Sequence, residues 1–96
     1  MPVPSPAPAP DSPFQVGQAY LFRLVMHYWT GRVVSVGETE IVIEDAAWIA
    51  NTGRFADAIT TGSLEEVEPV PGNVILGRGA LVDAVVWAHE LPREQK

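Results

Sequence analysis

Hydrophobic residues occupy both alternating faces of the chain between Val16 and Val36, a spacing that predicts β-structure. One face carries five aromatic or aliphatic residues: Tyr20, Phe22, Leu24, Met26 and Tyr28. The other face carries a mixed but largely apolar set: Leu21, Arg23, Val25, His27 and Trp29. Because both faces are apolar, we expect a strand that is either covered on both sides or bent strongly around a small barrel.

Two further strands are predicted after a turn or bulge at Thr30-Gly31. The segment RVVSV forms the first of them, GET makes a tight hairpin turn at Gly37, and EIVIE returns as the second. Three consecutive antiparallel strands predict a meander.

A helical insertion is predicted next, at about residues 45–62. Asp45 is expected to cap a helix over AAWIA, and Asn51-Thr52-Gly53 supplies a left-handed exit from it. A second short helix fits RFADAIT before Gly62, with apolar residues at helical spacing. The apolar face of this helix is expected to pack against another apolar surface, so we interpret the insertion as a lid or flank of the sheet.

The remaining segments complete a mainly β fold. EEVEPVPG is predicted as an edge strand or connector, because proline cannot donate to a central ladder. NVIL and ALVDAVVWAHEL are the last two strands, divided by Gly77-Arg78-Gly79. The sequence thus predicts a small five-stranded, strongly bent barrel over residues 14–91 with a helical insertion. Residues 1–13, with six prolines, predict a disordered or extended arm, and residues 92–96 a tail.

Composition limits how this small domain is stabilised and what it binds. The 96-residue chain has no cysteine and two histidines, so disulfides and a zinc staple are excluded and homo-oligomerisation is expected to add stability. The net charge is −6, which repels long nucleic acids. No apolar run is long enough to cross a bilayer and no signal peptide is evident, so we expect no membrane partner and a soluble, cytoplasmic protein.

The stretch GRVVSVGETEIVIEDA and the later RGALV resemble the two-part signature of the Sm-like family. The positions that match the first pattern are Gly31, Val33, Val36, Ile41, Ile43 and Asp45. The positions that match the second are Arg78, Gly79 and Val82. The resemblance covers about half of the chain. It implies a small β-barrel whose subunits assemble into rings through their edge strands.

Two differences limit what this resemblance implies. The family's turn carries an aspartate and an asparagine that hold an RNA base, whereas this chain has Gly37 and Glu40 and is one residue shorter there, so RNA binding does not carry over. The insertion from Asp45 to Leu64 replaces a short connector, and ring assembly either survives it or is blocked by it. More loosely, YWTGR, EDAAWIANTGRFADA, EVEP and GRG resemble segments of small proteins of bacteriophages and other mobile elements, which implies a bacterial host cell.

Two glycine-flanked arginines are the candidate ligand-binding groups. Gly53 and Arg54 begin the second predicted helix, and Gly77-Arg78-Gly79 combines flexible backbone amides with a guanidinium. The aromatic residues expected to stack on a base are Trp48, Trp29 and Trp87, with His27 near a strand end. Together they predict a pocket for a small anionic, nucleotide-like ligand. For these residues taken singly we favour a structural interpretation, in which Gly77 and Gly79 let the last two strands bend, Arg78 pairs with an acidic residue and the tryptophans fill the core.

No catalytic or metal site is predicted. The chain lacks a serine or cysteine at a strand-to-helix elbow, and its adjacent carboxylates point apart in a strand. The two histidines have no clustered carboxylate to complete a metal site. We therefore predict a non-enzymatic, oligomeric binding module without a cofactor, which recognises a nucleotide-like ligand or a host protein. The alternative is a structural component of a virion or other assembly that contacts its neighbours through the proline-rich arm.

Overall fold

A six-stranded antiparallel sheet forms the body of the protein, with one α-helix packed against it. The computed structural model describes residues 12–96, so the predicted arm lies almost entirely outside the described residues. The elements in chain order are β1 (Ala19–Leu24), β2 (Tyr28–Val36), β3 (Glu40–Asn51), α1 (Phe55–Thr61), β4 (Glu66–Pro69), β5 (Val74–Gly77), a 3₁₀ turn (Arg78–Ala80) and β6 (Leu81–Val86). The mainly β prediction is confirmed, but residues 12–96 form six strands instead of five.

The strand order is β4–β3–β2–β1–β6, with β5 paired to the first half of β3. The second half of β3 pairs with β4. Within residues 12–96, β6 therefore lies at one edge of the sheet and β4 and β5 lie at the other, and the sheet is open.

The predicted helix at residues 46–50 is wrong, because this segment is the second half of the twelve-residue strand β3. Asp45 has a left-handed φ of 48°, which interrupts the alternation and leaves Ala46 and Ala47 both buried. The carboxylate of Asp45 accepts a hydrogen bond from Arg32 Nη1 at 2.7 Å and caps no helix. Pairing with β2 on one side and β4 on the other overrides the weak local preference for helix.

The second predicted helix is confirmed as α1. Gly62 ends it with a left-handed φ of 78°, and the Gly62 N–H donates to Ala58 O at 2.9 Å. A side chain at this position would be both strained and crowded, because a β-carbon on Gly62 would lie 2.7 Å from His89 Cγ.

The first hairpin turns earlier than predicted, at residues 25–27. β2 runs through Thr30-Gly31, where a register shift against β3 corresponds to the bulge alternative of the prediction. The second predicted turn, at residues 37–39, is confirmed, with the Gly37 N–H donating to Glu40 O at 2.8 Å.

Both faces of β1 are covered, which explains its two apolar faces. The first core lies on one face and consists of Tyr20, Phe22, Val33, Val36, Ile41, Ile43, Ala46 and Leu76. The second core lies on the opposite face and consists of Leu21, Ala47, Ile49, Ala58, Leu64, Val67, Trp87 and Leu91. The helix α1 and the segment after β6 supply the cover of the second core, so α1 is a structural flank of the sheet.

An ion pair links β6 to β1 beside the second core. Arg23 Nε donates to Asp83 Oδ1 at 2.6 Å, and its Nη2 donates to Asp83 Oδ2. The guanidinium also lies 4.7 Å from the centre of the Phe55 ring, so it joins the sheet edge to α1. Hydrogen bonding from Arg23 lowers the pKa of Asp83.

This lowered pKa predicts acid-sensitive stability. Because the pKa of Asp83 is lower in the folded chain than its ordinary value of 3.8, the pair stabilises the fold above that value. The stabilisation is lost as pH falls through the folded-state pKa. We expect Asp83→Asn to lower the urea midpoint near neutral pH and to match the original protein in strong acid. A difference in urea midpoint between Asp83→Asn and the original protein that does not change with pH would contradict this. The control is Glu38→Gln, which neutralises an exposed carboxylate in the turn at residues 37–39.

Candidate binding cleft

The tip of the first hairpin exposes two large apolar side chains. Val25 is 70% exposed and Met26 is 82% exposed. Tight turns are usually built from glycine, proline, asparagine or aspartate, so the geometry of a turn does not call for these residues. The tip is nevertheless held in place, because the Val25 N–H donates to Ala80 O and the Leu24 N–H to His27 O, both at 2.9 Å.

A cleft of about 370 Å³ separates this tip from the end of β3. Its lining residues are Val25, Met26, His27, Tyr28, Trp48, Ile49, Ala50, Asn51 and Thr52. The rings of His27 and Trp48 meet edge to face, with 6.3 Å between their centres and 77° between their planes. Trp48 is half-buried, so part of its indole surface remains open to a ligand.

Two glutamates of β4 lie opposite the β3 residues of the cleft, outside its lining. Glu68 of β4 is directly opposite Trp48 in the antiparallel ladder, and Glu66 is opposite Asn51. Directly opposed residues have their side chains on the same face of a sheet, with β-carbons about 5 Å apart. Both glutamates are exposed, and the cleft lining contains no lysine or arginine. An aromatic surface bordered by carboxylates attracts cations and repels anions.

The structure brings together only two of the sequence-predicted site residues in this cleft, His27 and Trp48. Trp29 is directly opposite Trp48, but it packs against the first core. Trp87 is buried in the second core and its Nε1 donates to Glu90 O at 3.1 Å, so it presents no surface for stacking.

The Gly53 amide of the Gly53-Arg54 segment is not free for an anion. The Gly53 N–H donates to Asn51 Oδ1 at 2.8 Å, and a β-carbon on Gly53 would lie 3.0 Å from Glu65 Cγ. Arg54 is exposed at the start of a helix of only seven residues. A carboxylate therefore lies beside the backbone that the sequence suggested for a phosphate.

The glycine-flanked Arg78 holds the next hairpin turn in place. Its Nη1 donates to Gly37 O at 2.8 Å, its backbone N–H donates to Thr39 O at 2.9 Å, and its guanidinium carbon lies 5.8 Å from the centre of the Phe14 ring. The predicted pairing of Arg78 with an acidic residue is wrong for residues 12–96, where its partners are a carbonyl and an aromatic ring and neither ion pair includes it. Gly77 has an ordinary strand φ of −74°, and neither Gly77 nor Gly79 has another atom near the position of a β-carbon.

Sequence reasoning missed Val25, Met26, Glu66 and Glu68 as site residues. The alternation of residues 20–29 placed Val25 and Met26 inside a strand, and the glutamates were counted only as acidic residues of a connector. One signal in the sequence points to Val25 and Met26. They belong to an apolar run that has no turn-forming residue, although the chain has to turn between β1 and β2.

Comparison of the chain with protein-family models, with curated proteins and with solved structures finds no match. None of the helices between residues 12 and 96 has the length and apolar character needed to cross a membrane. In the same residues, no group of three histidine, cysteine, aspartate or glutamate side chains is placed to hold a metal ion.

Proposed function

We propose that the protein is a non-enzymatic binding module that recognises a basic segment of a partner protein at the hairpin-tip cleft. The observation that carries the proposal is the half-buried Trp48, which has His27 at its edge and Glu68 opposite it. An arginine or lysine side chain stacked on the indole would reach the Glu68 carboxylate. Met26 and Val25 supply an apolar contact for the flanking residues of the partner.

Charge supports a protein partner over a nucleotide-like ligand. A phosphate in the cleft would find no cationic side chain in the lining, and the neighbouring strand carries Glu66 and Glu68 opposite Asn51 and Trp48. The two arginines proposed from the sequence lie outside the cleft lining. Arg78 donates to Gly37 O, and Arg54 follows Gly53, whose backbone has the Glu65 side chain beside it. The net charge of −6 also favours encounter with a basic partner.

The bend of the sheet supports a finer structural proposal. β3 bends at Asp45, and its two halves pair with different strands, β5 and β4. The first core lies on the face that β1, β2, β3 and β5 share. We therefore propose that the domain belongs with the small, strongly bent barrels to which its sequence motifs pointed, the Sm-like and SH3-like class.

A labelled peptide of alternating arginine and leucine residues tests the proposed function. Fluorescence polarisation is expected to show binding that weakens about tenfold, or about 1.4 kcal/mol, in Met26→Ser and in Glu68→Lys. Ile75→Ser and Glu38→Lys are the matched controls, because the first replaces an exposed aliphatic side chain by serine and the second makes the same charge change, both at positions neither in the cleft lining nor opposite Trp48. We expect both controls to bind like the original protein.

Two ligands distinguish the alternatives. A peptide of alternating glutamate and leucine residues and the nucleotide AMP should both fail to compete with the basic peptide. Competition by AMP that survives Glu68→Lys would contradict the proposal and favour the nucleotide-like ligand. Binding of the basic peptide that falls equally in the site variants and the controls would also contradict it, since it would show only a general attraction between opposite charges.

A further inference from the structure

The outer edge of β6 has no strand partner within residues 12–96, where β6 pairs only with β1. The Trp87 N–H donates to Ala19 O at 2.9 Å, in the register that pairs Phe22 with Ala84. Because hydrogen-bonded pairs alternate in an antiparallel ladder, the backbone groups of Ala84 and Val86 face away from β1. These groups are available to another strand.

The side chains along this edge are also apolar. Val82 is 64% exposed and Val86 is 53% exposed. The one charged residue of β6, Asp83, is engaged by Arg23. The bulge between β1 and β6 lies at the start of β6 and leaves Asp83–Val86 in regular register. Natural sheets usually protect such edges with charges, prolines or covering segments, and β6 carries no lysine or proline.

The opposite edge consists of β5, where Ile75 is also exposed, and β4, and the β4 part is protected in several ways. β4 contains two exposed glutamates and ends at Pro69. Its outer side is also occupied, because the Lys96 N–H donates to Val67 O at 2.9 Å and the Val67 N–H donates to Lys96 O at 3.1 Å. Head-to-tail assembly of β6 on β4 would have to displace this pairing.

We propose that β6 pairs with β6 of a second copy of the chain, antiparallel about a two-fold axis through Val85. This register places Ala84 of each copy opposite Val86 of the other, so that the outward backbone groups satisfy one another. The two Val85 side chains lie opposite each other on one face, and each Val86 is covered by the other copy on the second face. No charged side chain of β6 meets a like charge across the axis.

The contact is small, because only a short strand edge is shared. Interfaces below roughly 1,200 Å² belong to weak and transient associations. The full chain should therefore be a concentration-dependent dimer, and sedimentation velocity between about 10 µM and about 1 mM should show its mass rising towards twice that of the monomer. A single species of monomer mass over the whole range would overturn the proposal.

Charge variants at Val86 test the two-fold arrangement. Val86→Lys and Val86→Glu should each raise the dissociation constant about tenfold or more, because the two positions are diagonal neighbours across the axis, about 7–8 Å apart. Mixing the two variants should restore the dimer, since opposite charges then face each other. Two variants that stay monomeric when mixed, although circular dichroism shows both folded, would overturn the proposal.

Variants elsewhere separate this pairing from other assemblies. Val16→Lys, at an exposed valine outside the strands, should leave association unchanged. Ile75→Lys on β5 should also leave association unchanged. If Ile75→Lys abolished dimerisation, the two-fold pairing would be overturned in favour of head-to-tail contact between opposite edges. Met26→Ser, which tests the hairpin-tip cleft, should dimerise like the original protein, so failure of either proposal is recognised independently of the other.

Discussion

Leu21→Ala and Phe22→Ala will each destabilise the protein severely, although the two residues are neighbours in one strand. In a sheet with one solvated face, only one of two consecutive residues is core. Here Leu21 lies in the second core and Phe22 in the first, and both are fully buried. Truncation leaves a cavity in a packed interior, so we expect losses of about 3 kcal/mol for Leu21→Ala and about 4 kcal/mol for Phe22→Ala.

Urea unfolding of the two single variants and the double variant measures these losses. The cores are on opposite faces of β1, so the two losses should be nearly additive. A domain of this size has roughly 5–15 kcal/mol of stability, and the double variant should be largely unfolded if the original lies at the lower end. Met26→Ala is the control and should change stability little, because its side chain is exposed. A cost below about 1 kcal/mol for either core variant would mean that one face of β1 is not packed.

Gly62→Ala is the second substitution expected to have a large effect. It forces a β-carbon into a left-handed backbone with φ of 78° and towards the His89 ring, which is itself held 2.8 Å from Ile59 O through Nε2. The backbone strain costs about 1 kcal/mol and the overpacking adds about 2 kcal/mol. We expect a total loss of about 3 kcal/mol in the free energy of unfolding.

Two other glycines separate these contributions. Gly72 has the same φ of 78° with open space around it, so Gly72→Ala should show the backbone cost alone. Gly79 has neither a left-handed φ nor a crowded β-carbon position, so Gly79→Ala should be nearly neutral. His89 Cβ would itself lie 2.9 Å from the new β-carbon, so the background that removes the crowding is His89→Gly, in which Gly62→Ala should cost only as much as Gly72→Ala. An unchanged cost in that background would show that His89 does not pack against the helix end as described.

The fold was predictable where short-range patterns decide it. The two apolar faces of β1, the turn after Gly37 and the helix ending at Gly62 all follow from residue spacing and glycine chemistry. The second half of β3 was not predictable in this way, because AAWIA has no strong strand preference and becomes a strand by pairing with β2 and β4. The first turn was missed because its apolar residues do not favour a turn.

The site was predicted only in part, for a related reason. His27 and Trp48 were singled out as aromatic candidates, but their meeting depends on a turn and a strand that the sequence placed differently. The arginines were chosen for their glycine neighbours. Arg78 proves to hold the turn at Gly37, because its Nη1 donates to Gly37 O. Local motifs reveal which groups are present, whereas long-range pairing decides what each group faces.

The most direct test of the proposed function is an NMR titration of the full chain with the arginine–leucine peptide, followed through backbone amides and the Trp48 Nε1–H. We predict shifts confined to residues 25–28 and 48–52 and to the Trp48 indole, with smaller changes at Glu66 and Glu68. Shifts centred on Arg54 or on residues 77–79, with the Trp48 indole unchanged, would contradict recognition at the hairpin-tip cleft.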